Sequence, residues 1–147
     1  MNPNTIKYKN PGSSSTTRFE RIHTVIFDNK KIAELIVAQE IKKLIEKNNK
    51  KNKKTVLGLS TGSSPIGVYK ALINFYKNEN LSFKNVITFN LDEYYGLEKN
   101  HPQSYHKFMN DNLFDHVDIN NKNINIPDGK VDKKSIDNYC KDYEKKI

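Results

Sequence analysis

Apolar positions along this chain switch between helical and extended spacing, and the switches mark its elements. His23-Thr24-Val25-Ile26-Phe27 is a short apolar run and a strand candidate. Ala33, Val37, Ile41, Leu44 and Ile45 then recur three and four apart, which predicts a helix from about Lys30 to Asn48 with those residues on its buried face. Asp28 or Asn29 would cap it. Val56 to Leu59 reads as a buried parallel strand. Pro65 opens a second helix, to about Lys77, with Ile66, Tyr69, Leu72, Ile73 and Tyr76 apolar. Asn85 to Leu91 is apolar and β-branched, a second clear strand, and Asp92 to Leu97 leaves it as a loop. Pro102-Gln103-Ser104-Tyr105 starts a helix with Tyr105, Phe108, Met109 and Leu113 on one side. Asn123 to Ile126 is a short strand stopped by Pro127-Asp128-Gly129. Asp132 to Ile147 closes the chain as a helix, with Ile136, Tyr139, Cys140, Tyr143 and Ile147 apolar.

Strand and helix alternate throughout, which predicts an α/β fold with a largely parallel sheet. Before the first strand, residues 1–17 are polar and carry Pro3, Pro11, Gly12 and a Ser/Thr run, so they read as a flexible or surface-draped arm, with the domain proper over 18–147. The final helix keeps an apolar face for further strands to cover. The expected picture is the first part of a sheet domain whose C-terminal part is missing.

Composition changes this picture little. Net charge is +8, but lysine and asparagine recur everywhere, and Lys47 to Lys54 reads as a solvated connection, so no nucleic-acid partner is expected. The single cysteine, Cys140, permits no disulfide within the chain and fits a reducing cytoplasm, with Cys140 itself as core filler. No apolar run is long enough to span a membrane, and none resembles a signal peptide's core.

The chemistry gathers at the carboxyl ends of the two central strands, where open α/β sheets bind ligands. Ser60-Thr61-Gly62-Ser63-Ser64 links a strand to a helix N-terminus using only small residues and hydroxyls. Unpartnered N–H groups and the helix dipole favour an anion there. Gly62 lets the backbone approach a ligand, and Thr61, Ser63 and Ser64 can donate hydroxyl protons. An ordinary N-cap by Ser63 or Ser64 is the competing reading. The loop is neither a Walker A sequence nor Gly-x-Gly-x-x-Gly, so a small phosphorylated ligand is expected rather than a nucleoside triphosphate. Asp92 ends the next strand. If the strands are neighbours, its carboxylate falls within a sugar's length of the loop and can move a proton on an anchored ligand; a plain turn or cap carboxylate is the alternative. Glu93 points elsewhere on an extended backbone and pairs with a basic neighbour, or stands with Tyr94 and Tyr95 at the pocket rim. His23, His101, His106 and His116 make no metal-ligand spacing, so no metal is expected.

These residues carry a family resemblance. Leu57 to Pro65 with Tyr69-Lys70-Ala71-Leu72 resembles the phosphate loop of glucosamine-6-phosphate deaminases. Ser82 to Tyr94 resembles their second signature, and His101 to Tyr105, Leu113 to Ile119 and Ile126 to Gly129 continue in register. The match runs from about Phe19 to Ile147. Its wording is nearest a longer bacterial form, in which a deacetylase-like domain can follow. The resemblance implies a Rossmann-like three-layer sandwich. It implies an enzyme of amino-sugar catabolism that converts glucosamine 6-phosphate to fructose 6-phosphate and ammonia, classed as a hydrolase, with no cofactor. Thr61, Gly62, Ser63 and Ser64 take the phosphate, and Asp92 takes the enolisation base. It also implies a homo-oligomer in the full-length protein.

One departure matters. The family's ring-opening cluster, a Gly-x-Gly-x-x-Gly-His loop followed by Asn-Glu-Pro, does not occur in these 147 residues. The expectation is therefore a shortened deaminase with little or no activity alone. A non-catalytic sugar-phosphate-binding or regulatory module on the same half-fold is the alternative. A 6-phosphogluconolactonase fits less well, because lactone hydrolysis asks for a different base than Asn90-Leu91-Asp92-Glu93-Tyr94 offers.

Overall fold

The computed structural model describes residues 25–147. The arm expected over 1–17, the domain start at Arg18 and the first half of the His23–Phe27 strand lie outside the described residues. Val25 to Phe27 carry no strand.

Three parallel strands form one sheet in the order β1 (Thr55–Leu59), β2 (Val86–Asn90), β3 (Ile124–Asn125). The register pairs Leu57 with Thr88 and Leu59 with Asn90, and Thr88 in turn with Ile124. The helices are α1 (Lys30–Asn49), α2 (Ile66–Glu79), α3 (Tyr105–Asn112) and α4 (Ile136–Glu144). Asn29 caps α1 by accepting from the Lys31 and Ile32 N–H groups, and Ser104 caps α3 by accepting from Lys107 N–H. Thr55, Leu57 and Leu59 alternate inward on β1, as a period of two requires. Leu57 and Leu59 share a core with Ala38 and Ile45 of α1 and with Tyr69, Leu72 and Phe75 of α2. On the other face Phe89 of β2 meets Tyr143 of α4 edge-on at 6.2 Å between ring centres. Helices thus pack on both faces of the sheet, the three-layer arrangement expected.

Three local expectations change. Strand β1 is not buried on both faces, because Val56 is 58% exposed; α1 and α2 cover only the side carrying Leu57 and Leu59. On α1 the buried residues are Ile36, Ala38 and Ile45, while Val37 and Leu44 face solvent. Each exposed residue precedes a buried one, and a single residue turns about 100° around a helix. Lastly, the C-terminal helix begins with a 3-10 turn over Lys133–Ser135 and ends at Glu144. Tyr139 and Tyr143 point inward along it; Cys140, one residue round, is exposed and is not core filler. No helix among the described residues is long and apolar enough to cross a membrane.

Candidate active site

Because β1 and β2 pair directly with Leu59 opposite Asn90, the Ser60–Ser64 loop and Asp92 leave neighbouring strand ends. Neighbouring strands lie about 4.8 Å apart. The loop turns at Gly62, whose φ of +93° an L side chain rarely adopts. A Cβ there would meet no atom within 4 Å, so the site is open above it. Two hydrogen bonds hold the loop's root. The Tyr69 hydroxyl on α2 donates to the Ser60 carbonyl at 2.5 Å, and the buried Asn90 amide donates to the Leu59 carbonyl at 2.9 Å. Burial pushes the Tyr69 phenol up to about 12, so it remains the donor at any ordinary pH. Pro65 stands at the N-cap of α2 with no side-chain bond, and Ser63 and Ser64 are exposed. Neither serine's side chain caps α2.

Glu93 does not lie idle beside Asp92. Its side chain is only 2% exposed and accepts from the N–H groups of Tyr94 (2.8 Å), Tyr105 (2.9 Å) and His106 (3.0 Å). The His106 Nδ1 lies 3.0 Å from the same carboxylate. Burial alone would raise the Glu93 pKa, but these bonds outweigh it and hold the carboxyl below its ordinary value. The basic neighbour expected for Glu93 is thus His106, and the carboxylate clasps the start of α3 to the loop after β2. A second fastening comes from the Pro127-Asp128-Gly129 turn. Gly96 N–H donates to the Gly129 carbonyl at 2.7 Å. A Cβ on Gly129 would collide with the Tyr94 carbonyl oxygen and stand 2.9 Å from that of Leu97. Backbone can approach backbone here only because residue 129 is glycine.

Two adjoining clefts result. One, of about 770 Å³, is lined by Thr61, Gly62, Tyr94, Tyr95 and Tyr105 among others. The other, of about 340 Å³, is lined by Asp92, Glu93, Tyr95, Tyr139, Cys140 and Tyr143 among others. Tyr95 borders both. The loop lines the first cleft and Asp92 the second, with Tyr95 at their junction. Tyr105 lines the first cleft beside Thr61 and Gly62, and its phenol pKa is raised, chiefly by the neighbouring Tyr94 hydroxyl. The Tyr94 and Tyr105 rings stand 4.8 Å apart. Tyr105 was legible only as an apolar helix position, and its place at the ligand end shows only in three dimensions. Ser63 and Ser64 border neither cleft.

The sequence profile of the glucosamine-6-phosphate isomerase/6-phosphogluconolactonase family matches residues 28–147. The chain belongs to this family. It is 56% identical over 111 residues to a glucosamine-6-phosphate deaminase of Borrelia garinii, covering 76% of this chain and 40% of that protein. It is 49% identical over 128 residues to one of Clostridium botulinum (strain Langeland), covering 84% and 48%. A solved structure described as a monomeric glucosamine-6-phosphate deaminase superposes with a TM-score of 0.74 at 38% identity, over 81% of this chain and 47% of that one. A 6-phosphogluconolactonase from Thermotoga maritima superposes at 0.64 with 23% identity, a likeness of fold. This family member spans about half the length, or less, of the relatives it matches. The hydrolase class attached to the resemblance does not hold, because these relatives are named deaminases within an isomerase family.

Proposed function

We propose that this chain carries the phosphate-gripping and proton-moving parts of a glucosamine-6-phosphate deaminase site. Thr61 and Gly62, with the exposed hydroxyls of Ser63 and Ser64, hold the phosphate at the N-terminus of α2. Asp92, at the end of the adjacent strand, moves a proton between C2 and C1 of the opened sugar. Tyr94 and Tyr105 line the cleft beside the loop. The observation that carries this reading is the direct pairing of β1 with β2, Leu59 opposite Asn90, combined with deaminase relatives at 49–56% identity. The two-cleft arrangement places a condition on it: the sugar must pass Tyr95, which borders both clefts, to reach from Gly62 to Asp92. The ring-opening cluster of the family is not among these 147 residues, so the chain alone should turn over little or no glucosamine 6-phosphate. The same reading keeps the chain in the cytoplasm and without a nucleic-acid partner. The homo-oligomer expected of the full-length protein belongs to the same reading, although the solved deaminase named above is itself described as monomeric.

Fructose 6-phosphate tests the grip. At a hundred times its dissociation constant a ligand stabilises the folded state by about 2.7 kcal/mol, which raises the melting temperature of a domain this size by roughly 9 °C. Gly62→Val should abolish that shift, since valine cannot adopt the loop's positive φ without strain. No shift in the unmutated chain contradicts the reading. A shift with both fructose 6-phosphate and inorganic phosphate but no enolisation supports the binding module instead.

A further inference from the structure

We propose that Asn90 is a positioning residue: its side-chain amide is the strut that sets the phosphate loop at a fixed place relative to Asp92. This deepens the proposed function and rests on it for its meaning, though the strut itself is testable without a ligand.

Asn90 is the last residue of β2, two before Asp92, and only 1% exposed. Burying an amide is unfavourable unless its hydrogen bonds are made. Asn90 makes one of them across the strands, from Nδ2 to the Leu59 carbonyl. Its Oδ1 is buried with no partner. The side chain therefore keeps its position for the sake of the Leu59 bond. Leu59 is the residue from which the phosphate loop departs, and its carbonyl belongs to the peptide whose N–H is that of Ser60. The next carbonyl, that of Ser60, is held by Tyr69. Consecutive peptides at the loop's root are thus pinned from opposite sides, one by α2 and one by β2. The backbone carbonyl of Asn90 itself accepts from the Tyr143 hydroxyl at 2.7 Å, and that hydroxyl also lies 3.0 Å from the Asn125 carbonyl. One residue thus joins the ends of all three strands: β1 through its amide, and β3 through Tyr143.

Thr88 provides the internal control. It lies two residues earlier on the same side of β2, is equally buried, and has a hydroxyl with no partner. It has no bond to the loop. Thr88→Val removes a buried polar group at constant shape and should leave the loop alone.

The test is heteronuclear NMR on the 147-residue chain, with Asn90→Leu compared against Thr88→Val, followed by titration with fructose 6-phosphate. In Asn90→Leu, without ligand, the Leu59 carbonyl and Ser60 amide resonances should move and the amides of Thr61 to Ser63 should become more mobile on the nanosecond scale. Affinity for fructose 6-phosphate should fall about tenfold, measured well below the melting temperature. Thr88→Val should do none of this. In the unmutated chain the Asn90 side-chain amide should show cross-relaxation with Ser60 N–H; this keeps the proposal decidable if Asn90→Leu fails to fold. Unmoved loop resonances in Asn90→Leu, equal changes in Thr88→Val, or a freely rotating Asn90 amide would overturn the strut. If the unmutated chain binds no fructose 6-phosphate, the proposed function fails, while the ligand-free resonances still decide the strut.

Discussion

Glu93→Ala should destabilise the chain by about 3–5 kcal/mol, the usual cost of removing one partner from a buried charged cluster. Three backbone N–H groups and the His106 ring lose their acceptor at once. Glu93→Gln should cost less, because one amide oxygen can still accept from α3. Urea unfolding of the three proteins measures the order. The cluster also fixes the response to acid. The folded pKa of Glu93 lies below its ordinary value of 4.5, so the stability it adds is fully present above the unfolded pKa. It is lost as pH falls through the depressed folded value. The unmutated chain should therefore lose stability below about pH 4.5 more steeply than Glu93→Ala. Parallel acid curves for the two would show that the clasp contributes nothing.

Asp92→Asn should remove proton transfer while leaving the fold and phosphate grip in place. A positioned general base contributes roughly 10²–10⁴-fold, and the Asp92 side chain is exposed, so its amide analogue leaves no buried group unpaired. Ring opening by the enzyme is not required to observe this step. Fructose 6-phosphate opens spontaneously to the free ketone, and a base near C1 then exchanges a C1 proton for deuterium in D2O. The unmutated chain should accelerate that exchange over buffer, and Asp92→Asn should abolish the acceleration with the melting shift by fructose 6-phosphate preserved. Equal exchange in both proteins, or none above buffer in either, would remove Asp92 from the role of base.

Much of this was legible in the residues themselves. Strands β1 and β2 and helix α2 announce themselves because Val56 to Leu59 and Asn85 to Leu91 are short, largely apolar runs and Ile66 to Tyr76 keeps a helical period. Their succession fixes a parallel pair, and the parallel pair brings the Ser60–Ser64 loop beside Asp92. What escaped depends on which surfaces meet. Val56 looks like core until only one face of β1 is covered. Cys140 and Val37 differ from less exposed neighbours by one residue's rotation, finer than an apolar count resolves. The role of Glu93 depends on the first N–H groups of α3, twelve and thirteen residues on, and no local pattern joins them. Tyr105 reads as an ordinary amphipathic position until it is found lining a cleft with Thr61 and Gly62. The close approach of the Gly129 backbone to residues 94–97 is likewise a product of loop packing.

Titration of fructose 6-phosphate into the isotope-labelled chain, followed residue by residue, tests most directly whether a single ligand reaches from the hydroxyl loop to the acid one strand over. The expected result is a set of saturable shifts at Thr61 to Ser64, at Tyr105 and at Asp92, all with one dissociation constant. Shifts confined to the cleft beside Tyr139 and Cys140, or at the loop with Asp92 unmoved, would contradict it.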